Sequence, residues 1–364
     1  MNTLKTLTAW FLTAATALGS TVSPAIDNSA YSHDADNGAR NPQWMSSLPD
    51  SRKFSELSVP GTHDTMALYG GDYAQAQSMS LAKQLDAGIR ALDIRCRHYE
   101  NTFQIYHGFV YQFASFETVL DAVQQFLNQN PRETVYMYIQ SETTDITPAK
   151  GNTRSFAETF DDYKSRYPGL FWEHTGENPT LGETRGKVVV IQNFYHDPAV
   201  GLDYDRFVKR DNDWKVSTNW KLYDKWTSVK SQLQLAATAS TDTVFSIGLN
   251  GAEIAFPYFV ASGHSSPGTN APQLMTGLTT PGWKDWYPDF PRVNCVLGIC
   301  SIAFLGTNQL TNLWLLTQRM TVDLLNMDPR NKDRERIPYP RVGLIWADFP
   351  GRSLIENIIA LNRR

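Results

Sequence analysis

Four apolar, strand-like runs of this chain each end on a titratable polar group. Leu57-Ser58-Val59 leads into Pro60-Gly61-Thr62-His63-Asp64-Thr65, and the strand read over Ala91 to Ile94 carries Asp93-Ile94-Arg95. Phe103 to Tyr106 runs into His107-Gly108, and Arg341 to Trp346 into Ala347-Asp348. Strands that carry their reactive groups at their carboxyl ends belong to parallel sheets, where those ends converge on one face. That pattern constrains the fold more than any other feature of the chain.

The intervening segments have helical spacing. Ser115 to Asn130 places Phe116, Val119, Leu120, Val123, Phe126 and Leu127 on one stripe, and Asn130-Pro131 stops it. Ser80 to Ile89, Phe156 to Tyr167, Asp224 to Ala239, Thr311 to Met327 and Ser353 to Leu361 also read as helices. Thr134 to Ile139, Val188 to Ile191 and Thr243 to Leu249 read as further strands, the second apolar enough to be buried on both faces. Gly263 to Trp286 reads as loop. Alternating strands and helices predict an α/β fold, and the expected architecture is a distorted (β/α) TIM-type barrel. An open doubly wound sheet is the alternative, although no GxGxxG turn supports a dinucleotide site.

The 364 residues suit one barrel-sized domain. Lys5 followed by the apolar stretch Leu7 to Leu18 and by Ser23-Pro24-Ala25 predicts a signal peptide over residues 1–25. A polar mature terminus at 26–43 and a single domain at 44–364 follow, and secretion is expected. A net charge of −4 gives no reason to expect nucleic-acid binding. The three cysteines, Cys96, Cys295 and Cys300, form neither a disulfide framework nor a metal-ligand spacing. A small Cys295–Cys300 loop and three buried thiols read equally well.

Two histidines, two carboxylates and an arginine are the parts for acid/base attack on a phosphodiester. Histidine titrates near neutral pH, so a pair can hold opposite protonation states. A carboxylate against one ring fixes its tautomer, and arginine offers a planar fork to phosphate oxygens. Taken singly, each group has a structural use: His63 and His107 as hydrogen-bonded structural groups, Asp64, Asp93 and Asp348 as helix caps, and Arg95 as a salt-bridge partner, and Asp93 is read as structural.

Together, and in this order from about residue 44 to 360, these motifs resemble bacterial phosphatidylinositol-specific phospholipase C, including secreted fungal relatives. The resemblance implies a distorted TIM-type barrel and cleavage of a phosphatidylinositol-like lipid to diacylglycerol and a cyclic inositol phosphate. It makes His63 the general base, oriented by Asp348, and His107 the general acid. Arg95 would hold a phosphate oxygen, with Asp64 fixing the arginine. Gln140, Asn193 and Trp220 are the expected headgroup contacts, although Gln140 and Asn193 stand where the bacterial enzymes carry lysine and arginine. No cofactor is implied. No metal is expected either, because the Arg95 guanidinium takes the place of the cation that calcium-dependent relatives hold with oxygen ligands. Glu142 is read as a supporting residue.

Trp283 and Trp286, with Tyr287 and Phe290 between Pro281 and Pro291, read either as a membrane-interface cluster or as packing over the barrel mouth. A monomer acting on phospholipid is expected. Two alternatives stay open: a metal-dependent glycerophosphodiesterase or sphingomyelinase-D-like barrel, and a non-catalytic barrel that binds lipid or a cell surface.

Overall fold

The apolar runs pair edge to edge into one curled sheet. The computed structural model describes residues 29–143, 149–206, 209–211, 213–331 and 334–363. The signal-peptide expectation at 1–25 lies outside them. The sheet contains β1 (Ser58–Thr62), β2 (Ala91–Tyr99), β3 (Thr102–His107), β4 (Val110–Ser115), β5 (Val135–Ser141), β6 (Val188–Asn193), β7 (Leu202–Asp203), β8 (Lys209–Asp211) and β9 (Phe245–Gly248). A separate antiparallel sheet is formed by β10 (Met275–Thr279), β11 (Arg292–Val296) and β12 (Ile299–Ala303), and β13 (Gly343–Ala347) returns to the main sheet. The helices that matter below are α1 (Leu81–Ala87), α2 (Phe116–Gln129), α3 (Phe156–Arg166), α4 (Lys221–Thr238), α5 (Pro257–Ser262), α6 (Gly306–Met327) and α7 (Arg352–Ala360).

The main path runs β7-β6-β5-β2-β1-β13-β9-β8, with every neighbouring pair parallel. β3 and β4 leave this path as an antiparallel extension of β2. Three apolar clusters show how the sheet is filled. Val59, Ala91, Tyr136, Tyr138, Val189, Ile191, Leu202, Leu344 and Trp346 share the inner face. The opposite face packs Leu92, Ile94, Met137 and Val190 against the stripe of α2. Phe245, Ile247 and Ile345 pack with α4 and α7.

The curl is visible in side-chain contacts. Tyr138 on β5 and Trp346 on β13 have two strands between them, yet their ring centroids are 6.3 Å apart. On a flat sheet they would be about 14 Å apart. Tyr204, just after β7, also reaches Ser246 Oγ on β9 at 3.3 Å. Among the described residues no ladder joins β7 to β8, so the sheet is a curled, open half-barrel whose opening is bridged by side chains. A closed TIM barrel is therefore not what the backbone pairing forms.

Local chemistry explains the elements near the site. Ser115 caps α2 by accepting from Thr118 N–H, and all six predicted stripe residues of that helix are buried. Gly61 lies where β1 is pinched by its neighbours: an added Cβ would stand 2.8 Å from Ala91 Cβ and 3.0 Å from Ile345 O. Under the opposite end, Arg90 and Glu133 form a fully buried ion pair at 2.9 Å. Arg90 also donates to the carbonyls of Leu85, Ile89 and Pro42, and Glu133 accepts from Met45 and Ser46 N–H. This network clips residues 41–46 beneath the sheet. Residues from Ser29 onward also pack on the fold, Ser32 N–H donating to Phe349 O and Gly351 N–H to Ala30 O.

Several boundaries differ from expectation. β2 does not stop at Ile94 but continues to Tyr99, because β3 pairs with its outer half from Cys96 to Tyr99. α6 begins at Gly306, five residues early. Gly306 has φ +80°, and an added Cβ would meet Ala261 O, so only glycine turns the chain into the helix there. The expected loop 263–286 contains β10, whose partner is the apolar run 299–303.

Candidate active site

The register of the sheet sets the site. Arg95 is paired with Gln140 and Gln140 with Asn193, so those three side chains stand in one row across β2, β5 and β6. Thr62 is paired with Ala347, which puts His63 and Asp348 side by side one step beyond β1 and β13. His63 N–H still donates to Ala347 O at 3.1 Å. Asp64 then takes a left-handed conformation, φ 42°, which aspartate tolerates better than most residues. The turn is fixed by Asp64 N–H donating to Asp93 Oδ2 at 3.0 Å.

His63 Nδ1 lies 2.8 Å from Asp348 Oδ1. Arg95 Nη2 donates to His63 Nε2 at 2.9 Å, and Asp64 Oδ2 lies 3.1 Å from the same nitrogen. Burial pushes the His63 pKa down, but the carboxylates of Asp64 and Asp348 outweigh it and hold the value above the ordinary imidazole range.

Arg95 is held between two carboxylates: Nε is 2.9 Å from Asp64 Oδ1, and Nη2 donates to Asp93 Oδ2 at 3.0 Å. Burial raises the Asp64 pKa, but the Arg95 guanidinium, with His107 and His63, overcomes it and keeps that carboxyl below its usual value. Although burial works against the charge of Arg95, Asp64, Asp93 and Glu142 raise its pKa well beyond the usual.

His107 comes from a different construction than expected. It ends β3, an antiparallel strand outside the main path, rather than a parallel strand of the barrel. Its Nδ1–H donates to Ala74 O at 2.6 Å, which aims Nε2 at Asp64 Oδ2, 3.3 Å away. The ring centroids of His63 and His107 are 6.2 Å apart and the planes perpendicular. Two imidazole Nε2 atoms thus flank one carboxylate oxygen, with a guanidinium beside them. A tetrahedral anion placed against Arg95 would meet one nitrogen that can take a proton and one that can give one.

Gln140 and Asn193 sit at the edge of this group, but their polar atoms serve each other. Asn193 Nδ2 donates to Tyr138 Oη at 2.5 Å and to Gln140 Oε1 at 3.2 Å. Tyr138 donates to Gln140 Oε1 at 2.5 Å, and Gln140 Nε2 donates to Glu142 Oε2 at 3.3 Å. Glu142 Oε1 in turn accepts from Gly108 N–H at 2.9 Å, so this chain ends at the residue following His107. Trp220 precedes α4 and is 60% exposed, and no hydrogen bond or ring contact among the described residues joins it to the group.

His63, Asp64 and Asp93 offer ligand atoms within 4.8 Å of one another, which is metal-like spacing. The guanidinium of Arg95 already lies between those carboxylates, so a cation there would meet a fixed positive charge.

Several supporting residues carry no sequence signal. Gln77 Nε2 donates to the carbonyls of His63 and Ala347, and Asn308 Nδ2 to Asp348 O. The partner of His107, Ala74 O, is a backbone atom that any residue would supply. Asp93, read as structural, is a direct partner of Arg95.

Residues 52–194 match the family described as phosphatidylinositol-specific phospholipase C, X domain. That span includes His63, Asp64, Arg95 and His107 but not Asp348. A 1-phosphatidylinositol phosphodiesterase of Listeria monocytogenes is 37% identical over 173 residues, 45% of this chain and 53% of the relative, so the match spans about half of that protein's length. One from Staphylococcus aureus is 28% identical over 283 residues, 69% of this chain and 89% of the relative. The solved phosphatidylinositol-specific phospholipase C of L. monocytogenes superposes with a TM-score of 0.60 at 24% identity, covering 90% of this chain and all of that one. This last likeness is one of fold.

Proposed function

Because the chain belongs to the phosphatidylinositol-specific phospholipase C X-domain superfamily, we propose that it is a phosphodiesterase cleaving phosphatidylinositol-like lipids without a metal. The observation that carries this reading is the placement of His63 Nε2 and His107 Nε2 on either side of Asp64 Oδ2, at 3.1 and 3.3 Å, with Arg95 bound to both Asp64 and His63.

In this reading His63 Nε2 takes the proton of the inositol 2-hydroxyl as its oxygen attacks phosphorus. Asp348 accepts the Nδ1–H and stabilises the imidazolium that forms. Arg95 neutralises a non-bridging oxygen. His107 Nε2 gives its proton to the glycerol oxygen as the P–O bond breaks, leaving diacylglycerol and a cyclic inositol phosphate. Asp64 steadies whichever imidazole is charged and holds Arg95. The same groups with roles reversed can add water to the cyclic product. Since Gln140 and Asn193 are bonded to each other and to Tyr138, we assign them a neutral rim for the headgroup. Trp220 is the weaker candidate because no contact among the described residues ties it to that rim.

We infer further that the curled sheet is a distorted barrel of this family, supported by the interior contacts of Tyr138, Trp346, Tyr204 and Ser246. All five reactive groups come from one chain, which supports a monomer as the working unit. The N-terminal sequence pattern supports export. Trp283 and Trp286 are 58% and 46% exposed, which supports a transient contact with membrane. The test is incubation with phosphatidylinositol vesicles in excess chelator, followed by phosphorus NMR. A cyclic phosphodiester signal is expected. Turnover that requires a divalent metal, or a product that is phosphatidic acid, would overturn the reading in favour of a metal-dependent barrel, and no turnover on any lipid would favour a binding protein.

A further inference from the structure

The segment between β9 and α6, residues 249–305, leaves and returns at the end of the sheet where the reactive groups meet. Leu249 N–H donates to Trp346 O at 2.8 Å, the Thr307 hydroxyl to Leu249 O at 2.9 Å, and Asn308 Nδ2 to Asp348 O at 2.9 Å. Both ends of this excursion are therefore anchored at the mouth of the site.

Within it, a Cys295–Cys300 disulfide closes the turn between β11 and β12. The closed segment reads Cys-Val-Leu-Gly-Ile-Cys and carries no charge. Its side chains face solvent: Leu297 is 94% exposed, Val296 67% and Ile299 45%. The tip leans on the tryptophan loop, since a Cβ at Gly298 would lie 3.0 Å from Pro281 Cγ. Trp283 and Trp286, themselves exposed, contact each other with centroids 5.0 Å apart. The base beneath is firmly held. Asp289 accepts from Trp226 Nε1 at 2.8 Å and from Lys230 Nζ at 2.7 Å, and Phe290 is buried against Phe304. Arg292 gathers the carbonyls of Lys284, Trp286, Tyr287 and Phe290.

Three aliphatic side chains held in water on a cross-linked turn contribute nothing to the folded core. Contiguous exposed apolar surface of this kind marks an interaction site. Its layering is that of a bilayer contact: aliphatic residues at the tip and tryptophans beside them, with the charges of Lys284 and Asp285 kept between the two indoles and off the tip.

We propose that the Cys295–Cys300 hairpin is a wedge that enters the acyl region of a lipid bilayer, ahead of the tryptophans, and brings the mouth of the site to the surface. This rests on the reading of that site as one acting on a membrane lipid. The disulfide keeps the tip extended, so little ordering is left to do on contact.

The test is co-sedimentation of the chain with phosphatidylcholine vesicles containing phosphatidylglycerol, a mixture that offers no inositol headgroup. A Leu297→Asp/Ile299→Asp variant should lose roughly ten- to a hundredfold or more in vesicle partition, the scale of withdrawing large apolar side chains from burial. Its turnover of a soluble short-chain substrate should be unchanged. In the wild type, amide exchange of residues 295–300 should slow when vesicles are added, a measurement that does not depend on the variant folding. Unchanged partition with no protection would overturn the wedge. So would an equal loss on soluble substrate, or a variant whose only change is lost self-association. Binding through the tip without cleavage of phosphatidylinositol would support the wedge while sinking the proposed chemistry.

Discussion

Arg95 Nη2 donates to His63 Nε2 at 2.9 Å. This bond requires a lone pair on Nε2, and the proton of the neutral ring then sits on Nδ1, facing Asp348 at 2.8 Å. Asp64 Oδ2, 3.1 Å from the same Nε2, pulls the other way and favours a protonated ring. In the proposed role of base, His63 is thus poised between an arginine that keeps it ready to accept a proton and a carboxylate that stabilises it once it has done so. A phosphate oxygen that drew the guanidinium toward itself would tip that balance at the moment the base is needed.

Replacing His63 or His107 with Ala should lower turnover on vesicles and on soluble substrate by about 10²–10⁴, the usual scale for a positioned acid or base. Circular dichroism should show both variants folded. A rate near wild type in either would remove that histidine from the chemistry.

The pH profile carries a sign. His63 has a raised pKa in the folded chain and, as the proposed base, would act in its neutral form, so the acidic limb of kcat/KM should lie above the ordinary imidazole value of about 6.5. Asp348→Asn removes one raising carboxylate, so the limb should move to lower pH while the rate falls. Asp64 has a depressed pKa, so its stabilising contribution is present above the unfolded carboxyl value and is lost as pH falls through the folded one. An unmoved limb in Asp348→Asn would assign the ionisation to another group.

Arg95→Asp should cripple turnover in chelator, because the phosphate loses its counter-charge and Asp64 and Asp93 are left facing each other. Added calcium should restore part of the rate if the opened carboxylate site can hold it. The wild type should be indifferent to chelator. Wild-type activity abolished by chelator and recovered with calcium would refute the role of the guanidinium.

Glu133→Gln breaks the buried pair with Arg90 and leaves a charge with no counter-ion among fully buried groups. Stability should drop by about 3–5 kcal/mol, read from the urea midpoint. The reactive groups lie at the other end of the strands, so the rate per folded molecule should hold. A loss below about 1 kcal/mol would mean that water reaches the pair.

Trp283→Ala/Trp286→Ala should reduce vesicle binding and vesicle turnover, while cleavage of a short-chain monomeric substrate stays near normal. Burial of a large apolar side chain is worth roughly 1.5–3 kcal/mol, so the expected loss is on the order of tenfold or more per indole. Equal losses on both substrates would place the pair in the site or in packing.

What the sequence determined on its own was a set of strands and the titratable groups at their ends. Period-two and period-3.6 patterns are local, so β1, β5, β6 and the stripe of α2 could be read from a few neighbouring residues, and His63, Asp64, Arg95 and Asp348 follow from where those patterns stop. The tertiary structure decided whatever depends on partners distant in the chain. β2 runs on through Arg95 and Arg97 because β3 supplies hydrogen bonds there, and a charged strand with one solvent face has no apolar signal. β10 looked like loop because its register is made by pairing with β12, more than twenty residues away, and only Thr279 of its own residues is buried. His107 reaches Asp64 only because Ala74 O orients its ring. Asn193 is bound to Tyr138 and Gln140 only because β5 and β6 lie in register. Whether the sheet closes was likewise beyond sequence, since closure is a sum of twists along eight strands and no single residue encodes it.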